Sequence, residues 1–460
     1  MKKKIVIAGA TGFIGRWILK KFKNECDIIA LSRKEVSNNQ DKNIKWKKVD
    51  LYSITSTEKA LEGCDAAIYL VHSMQPSSRL NQSKFEDTDL LLADNFSRAA
   101  EKNKLKQIIY VGGILPKDKI KISKHLLSRY EVEKILSSRS TPLTSIGAGI
   151  IIGPGGSSFK IITNLVKNLP VMMCPLWTKS INQPLDVFDL LDILRICLSD
   201  QKTYNKRIEI GGGEIITYMN LLKRTALLMK KKRIIFSIPL FSLGLSKLWV
   251  SLFTNTSLNL VSPLVESLKH TMIPNKENRN LFNINFTKLD DSIMKALKLE
   301  APKLPGFNKI KFEKNTVRSV QRIYNPNKYS AEKVADYFPI WISKKFVNII
   351  NPKFDGNNLI FYLGKINLLK LELIRNRSSR DRKLFYITGG ILTKRKSLGW
   401  LEFRSILNNN YIMIAIHEFI PKLPWIIYKN SQAKIHLYVM KKFEKEIMKK
   451  NIIKPELNET

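Results

Sequence analysis

The hydrophobic pattern of the first 22 residues predicts a buried strand followed by a helix. Residues 5–8 form an apolar run rich in β-branched side chains, which is typical of a strand covered on both faces. Ile14, Ile18 and Phe22 then recur at helical spacing on one side of the following segment. Apolar runs and helical patterns alternate up to about residue 213, so this part of the chain is predicted to be α/β with a parallel, doubly wound sheet.

Three glycines separate the first strand from the first helix. Gly9 suits a tight turn, Gly12 lets backbone N–H groups approach an anion, and Gly15 allows close contact between helix and strand. An ordinary strand-to-helix turn is the alternative, but it does not require three glycines at this spacing directly after an N-terminal strand. We therefore predict a Rossmann dinucleotide-binding turn that consists of Gly9, Ala10, Thr11, Gly12, Phe13, Ile14 and Gly15.

The end of the predicted second strand indicates which dinucleotide is bound. Ser32, Arg33 and Lys34 stand where NAD-binding proteins place an acidic residue for the ribose 2′-hydroxyl, and they suit a 2′-phosphate instead. We therefore predict NADP(H), with NAD less favoured; the alternative is that Arg33 is a solvated loop residue. Further cofactor contacts are expected at the ends of the later strands, from Asp50, Leu51, Val71, Gly112, Ala148 and Gly149.

The pattern changes in the second half of the chain. Several alternating strands, followed by a long helix over about 425–449, predict an α+β domain with a START-like helix-grip fold. The predicted organisation is a dinucleotide-binding domain at 1–300, with a cap segment at 231–285, and then the α+β domain at 316–455. Prolines and a glycine among lysines indicate a linker at 301–315.

Residues 234–253 are apolar over some twenty positions and follow the basic residues 230–233. Their length would allow a membrane span, but Pro239 and Lys247 disfavour one. We expect a helical cap over the substrate cleft, and an interfacial segment on anionic lipid is the further alternative.

The chain is strongly basic. It carries 78 Lys and Arg against 39 Asp and Glu, a formal charge of +39 that predicts attraction to an anionic surface. Neither a compact basic stripe with interleaved aromatics nor a helix-turn-helix is evident, so specific nucleic-acid binding is not expected. We predict a cytoplasmic protein, associated peripherally with the inner face of the membrane.

Metal and disulfide chemistry is not indicated. The four cysteines lack C-x-x-C spacing, and the five histidines show no metal-binding grouping. His417, Glu418 and His436 are a weak candidate ligand set. Glu402 and Arg404 alternate on one predicted strand and are expected to form an ion pair rather than a catalytic couple.

Several stretches of the chain resemble a bacterial group of atypical short-chain dehydrogenase/reductases, known as predicted nucleoside-diphosphate-sugar epimerases. This group is related to NmrA-like proteins and to the accessory Rossmann subunit of respiratory complex I, and its members carry an appended C-terminal domain. The resemblance covers nearly the whole chain. It lies in residues 9–15, 69–74, the helix with His125 and Arg129, 169–172, 398–404, 423–428 and 431–436.

The resemblance implies a catalytic position on the helix over residues 123–134. Short-chain dehydrogenases place Tyr-x-x-x-Lys there, because the lysine lowers the tyrosine pKa and holds the nicotinamide ribose. Tyr130 and Lys134 match this spacing literally. The pattern of atypical members instead places His125 at the tyrosine position and Arg129 one turn later, which we favour.

Two functions are compatible with these features. One is an NADP-dependent oxidoreductase acting on a small apolar or quinone-like molecule, with His125 as first proton donor and Tyr130 as second. The other is a non-catalytic NADP(H)-binding redox sensor or assembly factor at a membrane complex. The second is favoured by Gly112 and Gly113, which stand where the resemblance implies a catalytic Ser or Thr.

Overall fold

The computed structural model divides the chain into two compact units. The first comprises Met1–Met74 and Asp89–Ile310, and the second comprises Gln75–Thr88 and Lys311–Thr460. The second unit thus takes in a short segment from the first half of the chain. The structure describes residues 2–38, 41–72, 80–116, 122–238, 265–275, 281–308, 315–346, 349–394 and 399–449.

The secondary structure of the described residues is as follows. The strands are β1 Lys3–Ala8, β2 Cys26–Ser32, β3 Ile44–Lys48, β4 Ala66–Tyr69, β5 Leu80–Gln82, β6 Gln107–Gly113, β7 Leu143–Ala148, β8 Ile151–Ile152, β9 Val171–Pro175, β10 Ile181–Asn182, β11 Leu185–Asp186, β12 Lys206–Ile210, β13 Ile216–Thr217, β14 Ile234–Ile238, β15 Val317–Tyr324, β16 Ile350–Asp355, β17 Asn358–Leu363, β18 Ile366–Leu373, β19 Arg382–Gly389, β20 Trp400–Ile406 and β21 Tyr411–Phe419. The α-helices are α1 Phe13–Phe22, α2 Ile54–Leu61, α3 Phe85–Lys102, α4 Lys124–Leu136, α5 Ser157–Asn168, α6 Val187–Cys197, α7 Tyr218–Leu228, α8 Leu289–Lys298, α9 Ala331–Lys345, α10 Trp425–Asn430 and α11 Gln432–Ile447.

The first unit is built on a seven-stranded sheet in the order β12-β7-β6-β4-β1-β2-β3. All of its pairings are parallel. Residues Ile5, Val6 and Ile7 of β1 are fully buried, because helices cover both faces of a doubly wound sheet. The predicted Rossmann fold is confirmed. Since β1 pairs with both β2 and β4, the strand order reverses beside it. In doubly wound folds the ligand-binding crevice lies at such a reversal, which here is at the carboxyl ends of β1 and β4.

The second unit is an antiparallel sheet with helices on one face. Its strand order is β16-β17-β18-β19-β20-β21-β15-β5, and only β5 runs parallel to its neighbour, β15. Phe338 and Trp341 of α9 and Phe443 of α11 share one apolar core with Phe385 and Phe403 of the sheet. The α+β composition predicted for the second half is therefore present, and the predicted long C-terminal helix is divided at Ser431 into α10 and α11.

A charged cluster is buried within the second unit. Glu402 is fully buried and accepts hydrogen bonds from Arg382 Nη2 at 2.8 Å and Arg404 Nη2 at 2.7 Å, and it lies 3.0 Å from His417 Nε2. Burial by itself would raise the pKa of Glu402, but Arg404 and Arg382 hold it well below its usual range. The predicted Glu402–Arg404 ion pair is confirmed.

Part of the predicted cap segment at 231–285 lies outside the described residues, as does most of the apolar stretch 234–253. In the described part of that stretch, Ile234–Ile238 forms strand β14 and pairs with β9. No helix in the described part of the chain combines the length and apolarity that a membrane span needs.

Candidate functional site

The glycine turn after β1 leaves no space for side chains at two of its three glycines. Gly9 has a φ of +90°, and a Cβ there would lie 2.9 Å from the Leu70 carbonyl oxygen. A Cβ at Gly15 would overlap the backbone of Gly9 and Ala10. These two glycines therefore permit the tight turn and the close packing of α1 against β1.

Gly12 differs from the other two glycines of the turn. Its φ is −75°, it is exposed, and a Cβ there would lie 3.2 Å from the nearest atom, the Gly9 carbonyl oxygen. Gly12 is the N-cap of α1 and provides no side-chain oxygen for the N–H groups of the first helical turn. Exposed backbone N–H groups at a helix N-terminus suit a phosphate, so this turn fits the pyrophosphate of a dinucleotide.

The segments after β2 and β3 lie beside each other. Ser32 is buried, and its hydroxyl accepts a hydrogen bond from the Lys34 N–H at 3.0 Å, while Arg33 and Lys34 are exposed. Asp50 accepts a hydrogen bond from the Tyr52 N–H at 3.1 Å, which shapes the turn after β3. These residues form a polar rim at the carboxyl ends of β2 and β3.

Two features near this rim were not predicted. The fully buried amide of Asn95 donates hydrogen bonds to the carbonyl oxygens of Leu51 and Tyr52, at 2.7 and 3.0 Å, and so fixes the turn that carries Leu51. Residues 301–308, predicted as part of a linker, lie against the loop after β2. Phe307 pairs with Val36 in a β-bridge, and its ring packs edge-on against Trp46 at 5.4 Å.

Arg129 joins the ends of β4 and β6. Its guanidinium donates hydrogen bonds to the carbonyl oxygens of Val71 at 3.2 Å and Val111 at 2.8 Å. The guanidinium also lies over the ring of Tyr110, and the Tyr110 hydroxyl donates to the Arg129 carbonyl oxygen at 3.0 Å. Arg129 thus keeps a positive charge at the crevice while it positions Val71.

Gly112 cannot be replaced by a residue with a side chain without displacing Tyr110. A Cβ at Gly112 would lie 2.8 Å from Tyr110 Cε1, and Tyr110 is fully buried. The hydroxyl that the resemblance implies at this position is therefore absent for a packing reason.

His125 is the centre of a group of polar side chains that the fold brings together. Its Nδ1 lies 3.0 Å from Ser267 Oγ, and Ser267 belongs to the predicted cap segment. On its other side, the ring of His125 lies 5.1 Å from the ring of His72, whose Nδ1 lies 2.6 Å from the buried carboxylate of Asp89. Asp89 and Ser267 were not predicted, and their positions in the sequence give no motif that could have identified them.

The surroundings of His125 disfavour its charged form. Burial is the main cause, and the nearby His72 and Arg129 add to it, so the pKa of His125 is lowered to about 3. At neutral pH the ring is therefore neutral, with one N–H donor and one acceptor nitrogen. Such a ring can pass a proton between two partners, but it does not hold a positive charge.

Tyr130 and Lys134 lie on a different face of α4. Five helical positions correspond to a rotation of about 140° away from His125, and Lys134 is exposed. The Lys134 ammonium lies over the ring of Tyr130 at 5.2 Å, so the two residues contact each other. The structure does not bring this pair together with His125 and Arg129.

The remaining predicted contacts lie at the end of β7. Ala148 is buried, and its carbonyl accepts a hydrogen bond from the Ile114 N–H at 3.3 Å. Gly149 is half-buried, with Met272 of the cap segment as its nearest neighbour. Among the described residues, no group of three His, Cys, Asp or Glu side chains could hold a metal ion.

Part of the first unit matches a known protein family. Residues 5–140 match the model of the NAD dependent epimerase/dehydratase family. The chain is 30% identical over 146 residues to Auxiliary protein GraX of Staphylococcus aureus, a match that spans 31% of this chain and 43%, under half, of that relative. It is 20% identical over 297 residues to UDP-glucose 4-epimerase of Vibrio cholerae, across 59% of this chain and 89% of that one.

Solved structures show the same fold. A nucleoside-diphosphate-sugar epimerase from Staphylococcus aureus superposes with a TM-score of 0.51 at 14% identity, over 64% of this chain and 99% of that one. The triphenylmethane reductase of Citrobacter sp. superposes with a TM-score of 0.51 at 15% identity, over 65% of this chain and 100% of that one. The first unit thus has a Rossmann fold, and its residues 5–140 are similar to the NAD dependent epimerase/dehydratase family.

Proposed function

We propose that the first unit binds NADP(H), with the pyrophosphate at the N-terminus of α1. The observation that carries this proposal is the glycine turn, in which Gly9 and Gly15 have no space for a side chain while Gly12 is exposed at the helix end. The family match over residues 5–140 supports a nicotinamide dinucleotide as the ligand.

The preference for NADP(H) over NAD(H) rests on the residues after β2. Arg33 and Lys34 are both exposed there and can reach a 2′-phosphate, and the Ser32 hydroxyl accepts a hydrogen bond from the Lys34 N–H and so shapes this turn. Isothermal calorimetry with NADPH and NADH tests the preference directly. Tighter binding of NADH would contradict it.

We further propose that the unit is an oxidoreductase in which His125 donates the proton to the substrate. A dinucleotide bound at the glycine turn would supply the hydride for a substrate carbonyl carbon. With Nδ1 accepting from the Ser267 hydroxyl, the neutral ring of His125 carries its proton on Nε2 and can donate it to the carbonyl oxygen. As the Ser267 hydroxyl passes its proton to Nδ1, it would take another from Ser123 Oγ, 3.1 Å away, which recovers one from water, so that the ring stays neutral and both serines keep their protons.

The substrate class is a small apolar or quinone-like molecule. An apolar cavity of about 60 Å³ lies among Ile162, Leu165, Tyr218, Leu222 and Leu268, and Leu268 directly follows Ser267. This volume is well below the roughly 300 Å³ of a small-molecule pocket, so the cavity suits one apolar group of a substrate rather than a whole molecule.

A non-catalytic role, as a redox sensor or assembly factor, is the second candidate. Two observations favour it: Gly112 has no space for a catalytic hydroxyl, and Tyr130 lies away from His125. The similarity to GraX, which is named as an auxiliary protein, is compatible with this role.

One experiment separates the two roles. NADPH oxidation is measured against a panel of quinones and aldehydes for the wild type, for His125→Gln and for the matched control Tyr130→Phe. An oxidoreductase that uses His125 loses turnover in the first variant and retains it in the second. A wild-type protein that binds NADPH in calorimetry but turns over no member of the panel supports the sensor or assembly role.

We also propose that the protein associates with the inner face of the membrane from the cytoplasmic side, because of its charge of +39. For the second unit, the packing of α9 and α11 on one face of the antiparallel sheet supports a START-like helix grip. Folds of this kind often enclose an apolar ligand between helix and sheet.

A further inference from the structure

The helices α10 and α11, here the C-terminal helix pair, expose large apolar side chains. The exposed fractions are 76% for Ile426, 53% for Ile427, 58% for Ile435 and 55% for Tyr438. Single exposed apolar residues are common on protein surfaces, but four within thirteen residues of this helix pair form a concentration that packing within the unit does not require.

The opposite side of α11 already has its packing partner. Ala433, Met440, Phe443 and Ile447 are buried and belong to the core that α11 forms with the sheet. Their spacing gives α11 the one apolar face that it needs to pack on the sheet. Ile435 and Tyr438 therefore form a second apolar stripe, on the outer side of the same helix.

The two helices meet at Ser431. Its N–H bonds to the Ile427 carbonyl oxygen at the end of α10, and its carbonyl oxygen accepts from the Ile435 N–H at the start of α11, both at 2.9 Å. With φ −120° and ψ −85°, Ser431 departs from helical geometry and divides the two helices. Ile426 and Ile427 are exposed on α10 shortly before this joint, and Ile435 and Tyr438, three positions apart, lie on the same side of α11.

Lysines surround this stripe. Residues 422–449 contain seven lysines and two glutamates. Lys429, Lys434 and Lys441 are exposed and form no ion pair with a residue that the structure describes, and Lys442 lies over the ring of Tyr438 at 5.3 Å. An apolar stripe bordered by lysines, with an aromatic residue among them, is the pattern of a helix that lies in a membrane interface.

We propose that the outer face of the C-terminal helix pair docks on an anionic lipid bilayer. Ile426, Ile427 and Ile435 enter the boundary between headgroups and acyl chains, and the lysines contact lipid phosphates. A second copy of this chain is a poorer occupant, because it would bring the same lysines together. This inference rests on the proposed membrane association and assigns it to this face rather than to the segment 230–253.

Vesicle flotation of the full chain tests the surface. The vesicles contain phosphatidylcholine alone or with phosphatidylglycerol. Ile426→Ser/Ile435→Ser is expected to lower partitioning into the anionic vesicles about tenfold or more, since two exposed anchors are lost. Its thermal unfolding should match the wild type, because neither side chain is buried. The matched control is Met173→Ser/Phe236→Ser, which changes two exposed apolar residues of β9 and β14 and should bind like the wild type.

A second pair of variants tests the charge. Lys434→Glu/Lys441→Glu is expected to weaken binding to anionic vesicles more than Lys344→Glu/Lys345→Glu, which makes the same charge change on exposed residues of α9. Equal losses would show that only net charge matters and would overturn the assignment of this face.

The other possible outcomes also test the proposed surface. Wild-type binding that neither serine variant reduces would leave membrane association in place but overturn this surface. Loss of binding in the control alone would assign the surface to β9 and β14. If the wild-type protein does not bind anionic vesicles, both proposals are overturned. If the wild-type protein forms dimers that dissociate in Ile426→Ser/Ile435→Ser, the face belongs to contact with a second copy.

Discussion

The variant Gly12→Val is expected to fold but to bind the dinucleotide poorly, so it tests the role of the glycine turn in binding. The backbone of Gly12 is extended, with φ −75° and ψ 176°, which valine adopts readily. A Cβ meets only the Gly9 carbonyl oxygen, at 3.2 Å, so a shift of a few tenths of an ångström accommodates it. We therefore expect a folded protein whose valine methyl groups occupy the space that a pyrophosphate needs.

The expected loss of affinity follows from the hydrogen bonds that are displaced. A hydrogen bond between an amide N–H and a charged phosphate contributes about 1.5–3 kcal/mol. Loss of two such bonds corresponds to about 3 kcal/mol or more, so calorimetry should show NADPH binding weakened at least ~150-fold. The melting temperature without ligand should fall by only a few degrees, since Val is a poorer N-cap than Gly by about 1 kcal/mol or less.

The control is Gly15→Val. Its Cβ would overlap backbone atoms of Gly9 and Ala10, so this variant should lose the fold of the first unit as well as binding. Circular dichroism and thermal unfolding distinguish the two variants. A folded Gly12→Val protein with wild-type affinity for NADPH would refute the assignment of this turn to the pyrophosphate.

Three further predictions concern charge. Arg33→Ala should weaken NADPH binding by about 1–3 kcal/mol in calorimetry and leave NADH binding unchanged; equal effects on both would remove Arg33 from the 2′-phosphate site. Burial lowers the pKa of His125 from its usual 6.5 to about 3 in the folded protein. Its contribution to the free energy of unfolding is therefore present above pH 6.5 and is lost as the pH falls toward 3. Urea unfolding should show about 2 kcal/mol of this loss between pH 6.5 and pH 5, and His125→Gln should abolish that part. Glu402→Gln leaves Arg382 and Arg404 buried without their carboxylate, so chemical denaturation should show the second unit destabilised by about 3–5 kcal/mol. Glu372→Gln, the matched control at an exposed strand position, should have little effect.

The sequence by itself determined the elements whose signals are local. The apolar run before Gly9 and the helical spacing after it require only neighbouring residues, so the strand, turn and helix could be predicted. The ion pair of Glu402 and Arg404 could be predicted for the same reason, because side chains two residues apart on a strand lie on the same face.

Only the tertiary structure decided which polar groups meet at the crevice. The helical spacing of α4 allowed either His125 with Arg129 or Tyr130 with Lys134, and the packing of α4 against β6 determines that Arg129 bonds to Val111 while Lys134 is exposed. A side chain at position 112 would displace the buried ring of Tyr110, so the packing there fits glycine.

The contacts of His125 also depend on residues far apart in the chain. Asp89, His72 and Ser267 come from a helix, a strand end and the cap segment, and no local pattern relates them. Similarly, Leu80–Gln82 adds a strand to the sheet of the second unit beside β15, although some 230 residues separate the two strands. Pairings of this kind depend on which surfaces are buried together when the chain folds, and a single sequence read by its local periodicity does not contain that information.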